Sequence, residues 1–186
     1  MCGRINVSDD PLAQFIADAL GIPFKTRSNP DLRPTDPIDV IADIEPVQLT
    51  LNWGIKPEWS KRLIINAQAE SAAIKPTFRE SFHFYRCLVP CAGWYEWSSS
   101  NSKGEKRKYQ VSYADGKPCL MAGLILPDMK LVTMTTRPDK QYAHLHHRMP
   151  LLIPPANAKS WLTDRHYALE LTQAEQQYKL HISLAN

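Results

Sequence analysis

Proline is the feature that most limits the folds open to this chain. Fifteen of its 186 residues are proline, which is well above the average usage of about 5%. Proline removes a backbone N–H and disrupts the interior of a helix. The sequence therefore excludes a bundle of long helices and favours many turns and irregular connections. The length lies at the upper end of the usual single-domain range, so we expect one domain over residues 1–186.

Charge and hydropathy limit the function classes without selecting one. The net charge of +3, from 22 basic and 19 acidic residues, permits nucleic acid binding but does not demand it. No apolar stretch approaches the roughly 18 residues of a membrane span. Charged residues interrupt the first twenty positions, where a signal peptide has its apolar core: Arg4, Asp9, Asp10 and Asp18. We expect a cytoplasmic protein without membrane contact.

In that compartment cysteines stay reduced. The sequence therefore predicts free thiols rather than a disulfide framework at all four cysteines: Cys2, Cys87, Cys91 and Cys119.

One helix is clearly predicted at residues 10–21. Its apolar residues recur at helical spacing, Asp10 can cap its start, Pro11 suits its first position and Gly21 can end it. The proline-containing segment 22–37 is expected to be an irregular connection. Shorter apolar stripes predict two further helices, at residues 156–163 and 173–178.

The middle of the chain is predicted to be mostly β. The first two strands should form a hairpin that turns at Glu45 and Pro46. Turn signals stand at residues 98–104, 115–116 and 127–128. The predicted strands are 38–44, 47–53, 87–97, 109–113, 119–126, 130–135 and 149–153. The fold class is therefore α+β, a bent, largely antiparallel sheet or barrel-like core with flanking short helices.

Cysteine at position two is the most informative single residue. If Met1 is removed, Cys2 presents an α-amine beside a thiol, a pair that can close a five-membered thiazolidine on an aldehyde carbon. N-terminal-nucleophile amidohydrolases use a terminal cysteine differently, with the amine as base for its own thiol. A cysteine next to the initiator is also often inert. Position two thus indicates chemistry but leaves these alternatives open.

Four separated elements resemble the SOS-response-associated peptidase (SRAP) family. They are MCGR at residues 1–4, INAQAE at 65–70, GWYEW at 93–97 and HHRMP at 146–150. Their order and spacing match the family over about 150 residues. The resemblance implies the SRAP fold. It also implies a protein that bonds covalently, through Cys2, to abasic sites in single-stranded DNA and so shields the lesion in the SOS response.

The resemblance also implies residue roles. Glu96 and His146 would move protons, and Asn66 would orient the chain end by hydrogen bonds. Glu96 lies in an aromatic run, an apolar setting that favours the protonated form of a carboxyl. His146 can act as acid and base near neutrality. His144 and His147 are weaker candidates, and the Cys87 to Cys91 spacing does not match a zinc site. We expect no metal and no cofactor.

Five residues are the candidates for DNA contact: Arg4, Trp53, Trp59, Gln68 and Arg148. For both tryptophans, core packing is the alternative. The densest basic run surrounds a predicted hairpin tip and is expected to be a solvated face: Lys103, Lys106, Arg107 and Lys108.

The sequence departs from the family pattern at two positions and at its end. Gln68 stands where an arginine is usual and Asp31 where an asparagine is common, and the chain ends at Asn186, short of a tail that many relatives carry. These departures bear on DNA affinity and substrate range more than on chemistry.

We expect a monomer that associates with the nucleoid when it is bound to DNA. Replication-fork proteins are the candidate partners. The alternatives are a peptidase or amidohydrolase that uses Cys2, including self-removal of Met1 or a lyase-like step, and a non-catalytic single-strand-binding module.

Overall fold

The computed structural model describes residues 3–42, 45–98 and 106–185, with Asp9 and Asp10 described by backbone alone. Its helices are α1 (Asp9–Leu20), α2 (Ala69–Ala72), α3 (Pro76–Phe84), α4 (Ala158–Thr163) and α5 (Arg165–Gln173), with one 3-10 turn at Pro155–Asn157. Its strands are β1 (Ile5–Val7), β2 (Asn29–Leu32), β3 (Pro37–Ala42), β4 (Val47–Trp53), β5 (Asn66–Gln68), β6 (Arg86–Cys91), β7 (Gly93–Trp97), β8 (Lys108–Tyr113), β9 (Cys119–Leu126), β10 (Lys130–Thr136), β11 (Met149–Pro150) and β12 (Leu180–Leu184).

These strands form two sheets. In the first, the order is β12-β8-β7-β1-β2, with antiparallel pairings throughout. In the second, β10, β4, β3, β6 and β9 pair in that order, and β9 pairs back with β10. The ring of pairings closes a small barrel, to which β5 and β11 add along β10. The predicted α+β class and barrel-like core are confirmed. Two pairings, β10 with β4 and β10 with β5, are parallel.

The barrel hairpin shows why the sequence pattern predicts its strands well. Leu51 and Trp53 are buried while Asn52 between them is exposed, the alternation of a half-buried strand. β3 pairs antiparallel with β4, with Ile38 opposite Leu51, and a turn at residues 45–46 joins them. The predicted hairpin and the bounds of β4 and β9 are confirmed. Residues 43–44, at the end of the predicted first strand, lie outside the described residues.

Helix α1 ends as predicted but begins differently. Gly21 adopts a left-handed conformation with φ of 71° and donates its N–H to the Ala17 carbonyl. The residue before the first helical turn is Ser8, so the predictions that Asp10 caps the helix and that Pro11 opens it are wrong. The apolar stripe packs inward, with Leu12 and Ile16 fully buried.

The predicted strand 87–97 is two strands in different sheets. The barrel strand β6 ends at Cys91, and β7 begins at Gly93 in the five-stranded sheet. A Cβ at Gly93 would lie 2.3 Å from the carbonyl oxygen of Val111, so only glycine permits the close approach of β7 to β8. A run of apolar residues does not reveal such a change of sheet.

Three other predictions need correction. The predicted helix 173–178 is wrong beyond Gln173, where α5 ends; the helix lies earlier, and the Asp164 carboxylate accepts the N–H groups of His166 and Tyr167 at its start. The predicted strand 149–153 shortens to β11, and the connection 22–37 contains the strand β2. The predicted helix at residues 156–163 is confirmed: the 3-10 turn and α4 cover it. Most of the predicted turn 98–104 lies outside the described residues.

One buried arginine joins two helix ends to the barrel. The Arg86 guanidinium donates to the carbonyl oxygens of Phe82 and His83 at the end of α3, and to those of Trp161 and Leu162 in α4. Last-turn carbonyls have no partner within their own helix, so this single side chain satisfies both ends.

Two further findings concern the cysteines and the helices. Cys87, Cys91 and Cys119 are buried thiols, and burial raises the pKa of Cys87 well above its ordinary value. Within the described ranges, no helix is long and apolar enough to cross a membrane.

Candidate active site

Glu96 is a buried carboxylate on β7. Its sequence neighbours in the strand are Tyr95 and Trp97, and only 3% of the residue is exposed. One oxygen accepts the backbone N–H of Trp97 at 3.3 Å, and the other accepts the hydroxyl of Tyr142 at 3.3 Å. Both oxygens therefore act as acceptors. These two hydrogen bonds hold the carboxyl group in a fixed orientation.

Tyr142 is a site residue that the sequence prediction missed. The phenol is fully buried, and its oxygen lies 3.2 Å from Nε1 of Trp94. An indole nitrogen can only donate, so the phenol oxygen accepts this hydrogen bond and its own hydrogen points to Glu96. The signal in the sequence is slight: a tyrosine four positions before His146. The contact with Glu96 spans 46 residues and arises only on folding.

His146 lies after the turn at residues 140–145, stacked on His147 with ring centroids 4.2 Å apart. Its Nδ1 lies 3.0 Å from the backbone nitrogen and 3.2 Å from the carbonyl oxygen of Arg148, so the Arg148 backbone holds the ring in place. Burial lowers the pKa of His146 below its ordinary value, and the negative charge of Glu96 opposes this in part. The two predicted proton carriers thus act on each other in one site.

Asn66 is positioned by the barrel. It opens β5, which runs parallel to β10 with Asn66 opposite Thr133. Its Oδ1 accepts the Thr133 hydroxyl at 2.5 Å, which fixes the orientation of the amide. The predicted role of Asn66 at the chain end is not tested by these contacts.

The chain start runs beside the strand that carries Glu96. Ile5 pairs with Trp94, and the Arg4 carbonyl accepts the N–H of Tyr95 at 3.0 Å. Cys2 lies outside the described residues.

Three of the predicted DNA contacts are at least partly accessible. Trp59, in the loop after β4, is 70% exposed, and Gln68 is exposed at the end of β5. Arg4 is half-buried, with its guanidinium 5.9 Å from the Trp97 ring centroid and ion-paired to Asp31 at 2.8 Å.

Of the other two predicted DNA contacts, Trp53 is contradicted by its burial, and Arg148 is ion-paired within the protein and stays a prediction. Trp53 is fully buried and its indole N–H donates to the Ile65 carbonyl, so it packs in the core and cannot stack on a base. Arg148 binds Glu70 through two hydrogen bonds, of 2.9 and 2.7 Å, and also contacts the Thr135 carbonyl. A guanidinium engaged in this way ties the His146 segment to α2.

The basic run also needs correction at one residue. Lys106 and Arg107 are exposed as predicted, and Lys103 lies outside the described residues. Lys108 is not at a solvated tip: it begins β8, its ammonium nitrogen lies 4.0 Å from the Tyr95 ring centroid, and it approaches Asp31 at 3.6 Å. The side chain is only 27% exposed.

Comparison with known proteins identifies the family of this chain. The family model of the SOS response associated peptidase (SRAP) matches residues 1–183. The chain belongs to this family, as the four sequence elements predicted.

Among curated relatives, the chain is similar to the abasic site processing protein YoqW of Bacillus subtilis (strain 168). The two are 29% identical, over 93% of this chain and 87% of YoqW. The abasic site processing protein YedK of Escherichia coli (strain K12) is also 29% identical, over 59% of this chain and 52% of YedK.

Solved structures agree on the fold. The crystal structure of a phage-related protein from Bordetella bronchiseptica matches with a TM-score of 0.81 at 23% identity, covering 99% of this chain and 94% of that chain. A protein from Bacteroides thetaiotaomicron matches with a TM-score of 0.76 at 19% identity, covering 100% and 92%. At these identities the similarity establishes the fold alone.

Proposed function

We propose that this chain processes abasic sites in single-stranded DNA by forming a covalent crosslink through Cys2. The observation that carries the proposal is that Glu96 and His146 lie in one site. Glu96 is buried and accepts two hydrogen bonds, and the pKa of His146 is lowered by burial. The strand β1, which follows Cys2 in the chain, pairs with the strand that carries Glu96. The family and the names of the relatives favour the same substrate.

The proposed reaction needs only the chain's own groups and the sugar. His146 takes the proton of the C1′ hydroxyl of the abasic deoxyribose and delivers a proton to the ring oxygen, as the bond between C1′ and that oxygen breaks and the aldehyde forms. The α-amine of processed Cys2 attacks the aldehyde carbon, and loss of water leaves a Schiff base. The thiol then adds to the same carbon and closes a thiazolidine. Glu96, an acceptor in this site, takes the proton that the terminal ammonium must lose.

The short sequence separation between Cys2 and Arg4 favours an approach of the Cys2 amine to Glu96. Arg4 is held against Tyr95, next to Glu96 in sequence. Two residues span at most about 7 Å, so Cys2 stays within that distance of the anchored segment. Tethering a nucleophile close to its proton acceptor replaces a bimolecular encounter by a local one.

A direct experiment mixes the purified chain with a single-stranded oligonucleotide that holds one abasic site. Intact-mass spectrometry first establishes whether Met1 is absent. A denaturation-stable adduct, lighter by one water than the sum of its parts, is the expected result. The absence of an adduct when Met1 has been removed would contradict the proposal.

Two substitutions assign the roles. Cys2→Ala should abolish the adduct, and Glu96→Gln should slow its formation by about a hundredfold, since an amide cannot accept the proton. Glu80→Gln, an exposed carboxylate on α3, is the matched control and should react like the wild type. An unchanged rate for Glu96→Gln would remove Glu96 from the mechanism.

A peptidase is the second candidate, and the family description favours it. In that case Cys2 would attack a peptide bond, with removal of Met1 from the chain itself as one instance. Turnover of peptides in trans, without DNA, would support this function. A non-catalytic single-strand-binding module would instead bind intact and abasic strands equally and form nothing covalent. We propose that the chain acts as a cytoplasmic monomer, bound at the nucleoid and beside replication-fork proteins when on DNA.

A further inference from the structure

We propose that Arg4, Arg33 and Lys108 form a binding site for a DNA phosphodiester, and that Asp31 is an internal anion that competes with the phosphate for them. We call these four residues the Asp31 cluster. The inference rests on the proposed function, since it assigns part of the DNA surface.

The contacts in the Asp31 cluster converge on one carboxylate. Within the described part of the chain, three cationic side chains approach Asp31. Arg4 and Arg33 each donate to Oδ2 at 2.8 Å, and the Lys108 ammonium lies 3.6 Å from Oδ1. Three positive charges against one negative charge leave an excess of two at this spot. The hydrogen bond from Arg33 is the largest cause that lowers the pKa of the Asp31 carboxyl, so it stays ionised near neutrality.

Aromatic rings lie among these cations. The Arg4 guanidinium is 5.9 Å from the Trp97 ring centroid, and the Lys108 ammonium is 4.0 Å from that of Tyr95. Tyr95 is buried and packs against Lys108, so Trp97, which is partly exposed, is the ring that can contact a base. A partly exposed aromatic ring beside cations is typical of surfaces that bind single-stranded nucleic acid. A solvated ion-pair patch does not need such rings.

The position of the Asp31 cluster fits the proposed substrate. Tyr95 and Trp97 are the sequence neighbours of Glu96 on β7, and Arg4 follows Cys2 by two residues. A phosphate held by Arg4 would bring the adjoining sugar to the reactive end of the chain. The carboxylate of Asp31 already pairs with these cations. The free energy of phosphate binding is therefore reduced by the cost of breaking those ion pairs and by repulsion between the two anions. Asp31 therefore keeps non-covalent binding weak.

The test measures binding of the full chain to an intact oligothymidylate, which has no aldehyde, over a range of salt concentrations. Asp31→Asn should bind roughly fivefold more tightly, the effect of about one surface ion pair. For this variant, the slope of log affinity against log salt concentration should be steeper by about 0.7, the value for one further phosphate neutralised on a single strand. Arg33→Gln and Lys108→Gln should each weaken binding and flatten that slope by about 0.7.

Asp115→Asn is the matched control. It adds the same unit of net charge and removes an ion pair with Lys117, but Asp115 follows the far end of β8, roughly 17 Å along the strand from Lys108. Its affinity should equal that of the wild type. If Asp31→Asn matches Asp115→Asn, or binds more weakly than the wild type, the competition is overturned. Arg33 is 60% exposed, so Arg33→Gln tests the phosphate contact without risk to folding. An unchanged salt slope there overturns the site.

These outcomes separate the two proposals. An adduct on abasic DNA with no special effect of Asp31→Asn would remove only the Asp31 cluster. Tighter binding by Asp31→Asn without any adduct would leave a phosphate site on a protein whose proposed chemistry has failed.

Discussion

Single side chains in this site depend on partners that are distant in sequence. Trp94, Tyr142 and Glu96 form a chain of hydrogen bonds in which each donor direction is determined, because the indole can only donate. The phenol thus joins the core of the five-stranded sheet to the carboxylate that is proposed to accept a proton.

Tyr142→Phe should lower the free energy of unfolding by about 1–3 kcal/mol, because it leaves the Trp94 N–H buried without its acceptor. It should also slow adduct formation, because Glu96 loses a hydrogen bond that orients its carboxyl group. Urea unfolding measures the first effect and single-turnover crosslinking the second. Tyr85→Phe, on a ring that is 52% exposed, should change stability by less than about 0.5 kcal/mol. Equal effects of the two substitutions would contradict the role of the hydroxyl.

The two candidate tryptophans differ only after folding. Trp53 is in the core, whereas Trp59 is 70% exposed. Trp59→Ala should therefore weaken binding of single-stranded DNA by about 1–3 kcal/mol, the effect of one stacked base, and leave the thermal unfolding midpoint unchanged. Phe84→Ala, at an equally exposed aromatic ring on α3, is the control and should bind DNA like the wild type. A Trp59→Ala variant that binds as tightly as the wild type would exclude stacking there.

At the scale of elements, the change of sheet between β6 and β7 positions the site. β6 belongs to the barrel and β7 to the five-stranded sheet, and the chain passes between them in one residue. Gly93 makes this possible because Val111 lies so close. The passage orients the strand that carries Glu96 against both the chain start and β8.

Gly93→Ala should destabilise the fold by about 1–3 kcal/mol or more, since its Cβ would meet a backbone oxygen that cannot turn aside. Gly116→Ala is the comparison. Gly116 has φ of 73° and open space around it, so its cost is the conformational strain of about 1–2 kcal/mol alone. Thermal and urea unfolding of both variants give the values. A Gly93→Ala variant no less stable than Gly116→Ala would show that β7 can move away from β8.

At the scale of the whole molecule, buried ionisable groups predict sensitivity to acid. Burial lowers the pKa of His146 and of His83 below the ordinary 6.5. For Glu70, burial alone would raise the pKa, but the hydrogen bonds and charge of Arg148 outweigh it and hold the pKa below 4.5. In each case the unfolded chain binds more protons than the folded chain between the two pKa values. Stability is therefore lost as the pH falls.

The free energy of unfolding should be highest near neutrality and decline in two steps. The first begins below about pH 6.5, where the unfolded histidines take up protons, and the second below about pH 4.5, where the unfolded carboxyl does. Unfolding in urea from pH 8 to about pH 3 measures both steps. Glu70→Gln should reduce the second and leave the first. Stability that is constant or rises on acidification through pH 6.5 would contradict the histidine assignment.

Local patterns in the sequence determined much of this protein. The hydrophobic repeat and Gly21 define α1, strict alternation defines β4, and four short elements identify the family. These features depend only on residues that are near one another in the chain, so they can be predicted from the sequence without knowledge of tertiary contacts.

Only the tertiary structure decided which side chains meet. The contacts between Arg4 and Asp31, Tyr142 and Glu96, and Arg148 and Glu70 span 27, 46 and 78 residues. The same is true of the burial of Trp53 and of the division of residues 87–97 between two sheets. The physical reason is that burial and pairing energies depend on which strands become neighbours. Closure of the barrel, rather than any local preference, sets those neighbours.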